Sequence, residues 1–262
     1  MHFIHQIWFE FGHTDNNQIN RITLERKTLK ERIERHCTNF KYKLWSFEDA
    51  RNLIEERYPE YMAFFDCKTN RPIIKCDFFR YVLLHAFGGF YLDLDFFVLK
   101  SLDGLLDEFP STILLTRESH NSIELHNTLH NGFMFSKDSG LQFWKILCDS
   151  VVTQQTSKNM LSLSEQDVYR FTGTKFLCSK WLEYKNQFQI TILPFEKACN
   201  HWFVDKNNKK IFYSEENSSV VRDPSLSWSF LTVDDAIKER VRLVKCGSHV
   251  VCIVMNHGSY WK

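Results

Sequence analysis

Two adjacent segments, Lys75-Cys76-Asp77-Phe78-Phe79-Arg80-Tyr81 and Gly88-Gly89-Phe90-Tyr91-Leu92-Asp93-Leu94-Asp95, decide the reading of this chain. Ile73, Ile74, Phe78, Tyr81, Leu84 and His85 recur at helical spacing, which predicts a helix with a wide apolar stripe. Pro72 stands at its start, where a missing N–H costs little, and Gly88-Gly89 can take the left-handed conformation that stops a helix. Phe90 to Leu99 then reads as a buried strand interrupted by two aspartates. Alternate residues of a strand share a face, so Asp93 and Asp95 are expected on one side, about 6–7 Å apart. That spacing suits a hard divalent cation holding a diphosphate, because such cations take carboxylate and phosphate oxygens together. Asp77 and Arg80, three apart on the helix, share a face and are placed to meet the sugar and phosphate of the same ligand. The competing reading, a carboxylate pair in a surface turn, fits poorly with so apolar a run.

Working outward, strands and helices alternate. Strands are expected over His2–Trp8, Tyr42–Trp45, Thr112–Thr116, Gly132–Ser136, Gln189–Leu193 and His249–Met255, with helices near Asn17–His36, Leu141–Gln154 and Lys175–Tyr184. Ser46, with Asp49 three residues on, reads as the capping box of a further helix running toward Arg57 and Pro59. The pattern predicts an α/β fold: a single domain with an open, mostly parallel twisted sheet and helices on both faces. Ligands of such sheets bind outside the carboxyl ends of the strands, where Trp8, the two aspartates and His257 fall.

Composition narrows the classes. In 262 residues, 33 basic and 32 acidic side chains give no electrostatic case for nucleic-acid binding. The basic bias over Arg21–Arg35 is interleaved with acids around an apolar stripe, so a solvated amphipathic helix is preferred over peripheral membrane contact. The sequence shows neither a signal peptide nor a transmembrane anchor, so a cytoplasmic protein is expected. The eight cysteines form no Cys-x-x-Cys pair and read as reduced core residues.

The segment resembles the DXD-containing glycosyltransferases, the family of capsule and lipopolysaccharide sugar transferases and the yeast initiating α-1,6-mannosyltransferase. It resembles more distantly the catalytic domains of clostridial glucosylating toxins. The resemblance begins at Ile4-His5-Gln6-Ile7-Trp8-Phe9, is strongest over Lys75–Asp103, and returns at Thr172-Gly173 and His257-Gly258-Ser259-Tyr260-Trp261. It implies a GT-A-type domain, with residues 1–110 as the nucleotide-sugar-binding half and 111–262 as the sugar and acceptor half. It further implies retention of anomeric configuration, a UDP- or GDP-sugar donor, a glycan or other hydroxyl acceptor, and Mn²⁺ or Mg²⁺.

On this resemblance Asp95 is the expected direct metal ligand, with Asp93 on the metal or the ribose and His257 on the metal or a phosphate oxygen. Trp8 is expected to stack near the base, with backbone groups of Gln6 and Ile7 beside it. Tyr91 joins the donor site, Arg80 meets the diphosphate or sugar hydroxyls, and Asp77 meets the sugar. Ser259 and Trp261 are expected at the diphosphate, although the family more often has these two residues adjacent. Asn131 opens a strand where it is placed to bond the donor sugar; a turn asparagine before Gly132 is the alternative. Gln166-Asp167 matches a carboxylate–amide pair lining the sugar site of related enzymes, with helix capping by Ser164 as an equal alternative. Thr174 replaces the proline usual after Thr-Gly. His126 and His130 are four apart, but lack the glutamate of a metalloprotease motif. Two other classes stay open: a non-catalytic nucleotide-sugar or carbohydrate-binding module, and an Asp-x-Asp phosphatase with Asp93 as nucleophile and Asp95 as acid/base.

Overall fold

The computed structural model describes residues 1–9, 30–94, 96–98, 101–117, 129–155 and 160–193, with the backbone of 202–204, 210–212 and 220–222. Its centre is a six-stranded sheet in the order β2-β1-β3-β6-β5-β7. These strands are β1 (His2–Ile7), β2 (Phe40–Trp45), β3 (Gly89–Leu92), β5 (Ile113–Arg117), β6 (Leu129–Ser136) and β7 (Ile190–Leu193). β1 pairs in parallel with β2 and β3, and β5 with β7, whereas β6 runs antiparallel to both of its neighbours, β3 and β5. The mostly parallel sheet expected from alternating elements is therefore present, with one reversed strand. Two smaller pairings lie apart from it: β4 (Phe96–Val98) with β10 (Val220–Arg222), and β8 (Trp202–Val204) with β9 (Lys210–Phe212).

Helices cover both faces. On one side, helical residues 30–36 (α1) and α5 (Asp103–Glu108) bring Ile33, Leu102 and Leu105 onto Ile4, Phe90, Leu92, Phe133 and Phe135. On the other lie α2 (Phe47–Arg57), α3 (Met62–Phe65), α4 (Pro72–Phe87), α6 (Gln142–Gln154), α7 (Glu165–Phe171) and α8 (Thr174–Tyr184). Their largest buried side chains include Trp144, Tyr81, Phe64, Phe65, Phe78 and Phe79, joined by Tyr61 from the 3-10 turn before α3. Ser46 caps α2 in the expected box with Asp49. Cys37, Cys67, Cys76, Cys148 and Cys178 are in the thiol form, not disulfide-bonded. Among the described residues no helix is long and apolar enough to cross a membrane.

Three details correct the sequence reading. α4 has no exposed stripe, since every residue from Ile74 to Leu84 is buried; it is sandwiched between the sheet and α6, and so needs apolar residues almost all round. The double glycine does stop it, with φ of 64° at Gly88 and 82° at Gly89, but ψ of −156° puts Gly88 in a region open essentially to glycine alone rather than in the left-handed helix. A Cβ on Gly89 would lie 2.3 Å from the Phe3 carbonyl oxygen, so glycine also lets β3 begin hard against β1. Lastly, β3 ends at Leu92 rather than continuing unbroken to Leu99, and the Phe96 N–H donates to the Asp93 carbonyl at 3.0 Å just before β4. Asp95 lies outside the described residues, as do His126, His257, Ser259, Trp261, the beginning of the Asn17–His36 helix and the His249–Met255 strand.

The sheet's joints are fixed by buried polar groups. The Trp45 indole donates to His5 Nδ1 at 3.1 Å, so His5 Nε2 carries the proton and donates to the Gly88 carbonyl at 3.0 Å. Complete burial pulls the pKa of this imidazole down to about 4, holding it neutral. One side chain thus ties β2, β1 and the helix stop together.

Candidate active site

Burying charge inside an apolar helix is tolerable only if the charges satisfy one another. Asp77 and Arg80 do so one turn apart on α4: Arg80 Nη2 is 2.9 Å from Asp77 Oδ1, and each side chain is 5% exposed. Arg80 Nη1 donates to the Asn131 carbonyl at 2.7 Å and lies 3.2 Å from Asp93 Oδ1. The guanidinium carbon sits 4.8 Å from the centroid of the Tyr91 ring. The Tyr91 hydroxyl donates to Asp93 Oδ1 at 2.7 Å. Asp77 is saturated from the far side: Oδ1 accepts from Asn131 Nδ2 and Oδ2 from Thr172 Oγ1, both at 2.9 Å. Tyr81 in turn donates to the Thr172 carbonyl at 2.7 Å.

Asp93 is also held through its backbone. Its N–H donates to the Gly132 carbonyl at 2.8 Å, and its carbonyl accepts from Gln6 Nε2 at 3.2 Å. Gln6 is fixed by the Tyr42 hydroxyl, which donates to its Oε1 at 3.0 Å. Gly132 permits the packing, because a Cβ there would lie 2.3 Å from Asp93 Oδ2 and 2.5 Å from His130 Cε1.

Burial raises the pKa of Asp77, with the guanidinium and the Thr172 hydroxyl opposing the rise. Burial alone would depress Arg80, but Asp93, Tyr91 and Asp77 hold it well above its ordinary value, so it stays charged. Burial likewise lifts the Tyr91 phenol well above its usual range, and it remains a donor. Of the three charged groups only Asp93 opens outward, at 27% exposure. The site is thus a pre-set triad with one carboxylate presented at the carboxyl end of β3, where ligands of such sheets bind.

The structure brings together Gln6, Asp77, Arg80, Tyr91, Asp93 and Asn131, elements of β1, α4, β3 and β6. Ile7 and Trp8 end β1 at the same edge, both buried, with the Trp8 N–H donating to the Trp45 carbonyl at 2.9 Å. Gln166 and Asp167 do not join the cluster. Both are exposed at the start of α7, where Asp167 forms a capping box with Ser164 and Gln166 Oε1 accepts from Lys175 Nζ at 2.8 Å. Sequence reasoning missed Thr172 as the second anchor of Asp77, although Thr172-Gly173 stood out as a motif. It also missed Gly132, whose lack of a side chain makes room for Asp93.

A metal's fit can be judged from Asp93 alone. Its Oδ1 is engaged by Tyr91 and Arg80, while Oδ2 has one long contact, 3.5 Å to Arg80. One carboxylate oxygen at the rim is thus suited to a hard cation or to a hydroxyl. Among the described residues no three His, Cys, Asp or Glu side chains converge as a metal-binding group; the expected partners Asp95 and His257 are outside them.

Comparisons with known proteins give the family and the fold. Residues 24–112 match the family described as glycosyltransferase sugar-binding region containing DXD motif. An uncharacterized glycosyltransferase, L373 of Acanthamoeba polyphaga mimivirus, is 32% identical over 234 residues, covering 86% of this chain and 82% of that protein. Mannosyl phosphorylinositol ceramide synthase SUR1 of Saccharomyces cerevisiae is 38% identical over 78 residues, 30% of this chain but 20% of that protein. In fold, the chain is similar to mouse xyloside xylosyltransferase 1, with a TM-score of 0.50 at 11% identity over 84% of this chain and 96% of that one.

Proposed function

The chain belongs to the DXD-containing glycosyltransferase family, and on that premise we propose that it is a metal-dependent retaining hexosyltransferase. It would move a hexose from a UDP- or GDP-sugar to a hydroxyl of a glycan, lipid-linked or protein acceptor. The observation that carries the reading is the buried Asp77–Arg80 pair holding Asp93 at the rim, directly before Leu94-Asp95. Mannose is the first sugar to test, because the SUR1 match is to a protein named for mannosyl transfer.

Asp95, Asp93 through Oδ2, and His257 would hold Mn²⁺ or Mg²⁺. Bound there, the cation neutralises charge developing on the leaving diphosphate. The protein's own groups do the rest. Arg80 and Tyr91 fix the Asp93 carboxylate, and Gln6 fixes its backbone. Trp8, with Ile7 and Gln6 backbone groups, meets the base; Asn131 braces Asp77 and Arg80 from behind; Ser259 and Trp261 meet the diphosphate. Asp77 has both oxygens hydrogen-bonded and is buried behind Asp93, which disqualifies it as a nucleophile. A front-face path follows: the acceptor hydroxyl enters on the side the diphosphate leaves, and a leaving phosphate oxygen takes its proton. The phosphatase alternative is disfavoured by position: that Asp-x-Asp motif normally ends a first strand and is followed by Thr or Val, whereas here it follows β3 and precedes Phe96-Phe97.

The test is nucleotide release from a panel of UDP- and GDP-sugars, with and without Mn²⁺, comparing the parent protein with Asp95→Ala. Mn²⁺-dependent release from one donor, abolished in a folded variant, is expected. Equal turnover without any divalent cation would refute the reading. Metal-dependent donor binding with neither hydrolysis nor transfer would point to a binding module instead.

A further inference from the structure

Lys75 is a buried cation that the triad does not use. It lies in the first turn of α4, two residues before Asp77, and is 7% exposed. Its ammonium sits 5.5 Å from the Phe47 ring centroid and 5.8 Å from that of Phe65. These rings stack on each other at 5.2 Å, and both meet Phe9 edge-on, at 5.5 and 6.1 Å. Among the described residues no oxygen acts as hydrogen-bond or ion-pair acceptor for this ammonium. The carboxylate of Asp66, which acts on it electrostatically, is taken by Arg51 at 3.0 and 3.2 Å. Burial accordingly pulls the amine's pKa below the ordinary lysine value.

A cation held by two rings and a shared carboxylate, with no hydrogen-bond acceptor among the described residues, has its donors available to a ligand. Its surroundings say which. Phe9 follows Trp8 beyond the carboxyl end of β1, and Phe47 follows Trp45 and Ser46 beyond the carboxyl end of β2. The amine therefore lies at the edge where Trp8 stands, on the same helix as Asp77 and Arg80. On the reading above the diphosphate is met at the Asp93 side and the base at Trp8, which leaves the base as the part of the donor this amine can reach. An ammonium has three donors and no acceptor, so it can bond a ring carbonyl but not an amino group.

We propose that Lys75 reads the nucleobase of the donor, donating to the carbonyl oxygen of uracil or guanine and so rejecting cytosine and adenine, which carry an amino group at the corresponding position. This rests on the nucleotide-sugar reading above and adds the base class and the residue that selects it. A site built to bond a substrate group rejects analogues lacking it, because its own buried group is left unpaired.

The test measures binding of UDP, CDP, GDP and ADP to the full chain with Mn²⁺ by calorimetry, for the parent protein, Lys75→Met and Lys75→Gln. The parent is expected to prefer UDP over CDP, or GDP over ADP, by about 10- to 100-fold, the worth of one hydrogen bond to a charged group. Lys75→Met should lose that preference by weakening the favoured nucleotide while leaving CDP and ADP binding unchanged. It should also melt close to the parent, because methionine keeps the aliphatic packing against Phe47 and Phe65. Lys75→Gln, with both a donor and an acceptor, should narrow the preference by admitting the amino base. Retained discrimination in Lys75→Met overturns the assignment. An equal loss for all four nucleotides overturns it too, pointing to the phosphates, and a lowered melting temperature with discrimination intact marks a structural lysine. If the parent binds none of the four, the nucleotide-sugar reading itself falls, and this inference with it.

Discussion

Replacing Gly132 by alanine perturbs the site with a single methyl group. The position has no positive φ, so alanine suits the backbone, and the conflict is confined to the side chain. The added Cβ would lie 2.3 Å from Asp93 Oδ2, 2.9 Å from its Cγ and 2.5 Å from His130 Cε1. Relief to a normal contact moves the carboxylate by about 1 Å or more. Such a shift stretches the 2.7 Å bond from Tyr91 and the 3.2 Å contact with Arg80 beyond hydrogen-bond range. Overpacking of this kind costs about 1–3 kcal/mol, which lowers Tm by about 2–12 °C for a domain of this size. Displacing a positioned group by about 1 Å lowers turnover by about 100-fold. The assay is Mn²⁺-dependent nucleotide release at saturating donor, run beside thermal denaturation. Gly104→Ala is the control: a Cβ there meets nothing within 4 Å, and its place in α5 predicts unchanged turnover with equal or higher stability. A Gly132→Ala enzyme that melts lower yet turns over within twofold of the parent would refute the claim that the position of Asp93 matters.

Three further outcomes are expected. Tyr91→Phe keeps the ring beneath Arg80 but removes the donor to Asp93; turnover should fall about 10-fold, the size of one hydrogen bond to a carboxylate, with nucleotide affinity unchanged, and undiminished turnover would contradict this. His5 has a folded pKa of about 4 against 6.5 unfolded, so the unfolded chain takes up the proton first. Stability should be full above pH 6.5 and fall by about 3 kcal/mol as the pH drops toward 4. His5→Gln, which can still accept from Trp45 and donate to Gly88, should flatten that loss; parallel Tm–pH curves for the two proteins would show that His5 is not its source. Asp167→Ala breaks the capping box of α7 and should cost about 1 kcal/mol while leaving donor hydrolysis within twofold; a loss of hydrolysis greater than 10-fold would place this carboxylate in the sugar site after all.

What could be read from the sequence was local. Pro72 and Gly88-Gly89 announced the limits of α4, and Ser46-x-x-Asp49 announced α2, because caps and stops act through neighbours in the chain. The same box at Ser164-x-x-Asp167 was equally legible, but chemistry and capping ask for the same residues, and only exposure separates them. The end of β3 was not legible, because a strand's end is set by its partner: the Gly132 carbonyl takes the Asp93 N–H, and the Phe96 N–H then bonds the Asp93 carbonyl. Thr172 lies 95 residues from Asp77, Asn131 lies 54 away, and no periodicity links them.

One long-range fact is nevertheless encoded in spacing. Arg80 and Asp93 are 13 residues apart and touch. From Arg80 to Gly88 the helix descends about 12 Å at 1.5 Å per residue, and from Gly89 to Asp93 the strand climbs back about 13 Å at 3.3 Å per residue. The two lengths cancel, so the guanidinium and the carboxylate return to one level, with Asp77 about 4.5 Å further along the helix. Gly88 makes the reversal short enough for that cancellation, since a longer turn would lift β3 out of register with β1. The separation of the Asp-x-x-Arg and Asp-x-Asp motifs therefore follows from the rises of a helix and a strand packed side by side. An inserted residue in β3 would both break the level and, by strand alternation, turn either Tyr91 or Asp93 to the opposite face, so this segment should tolerate substitution far better than any change of length.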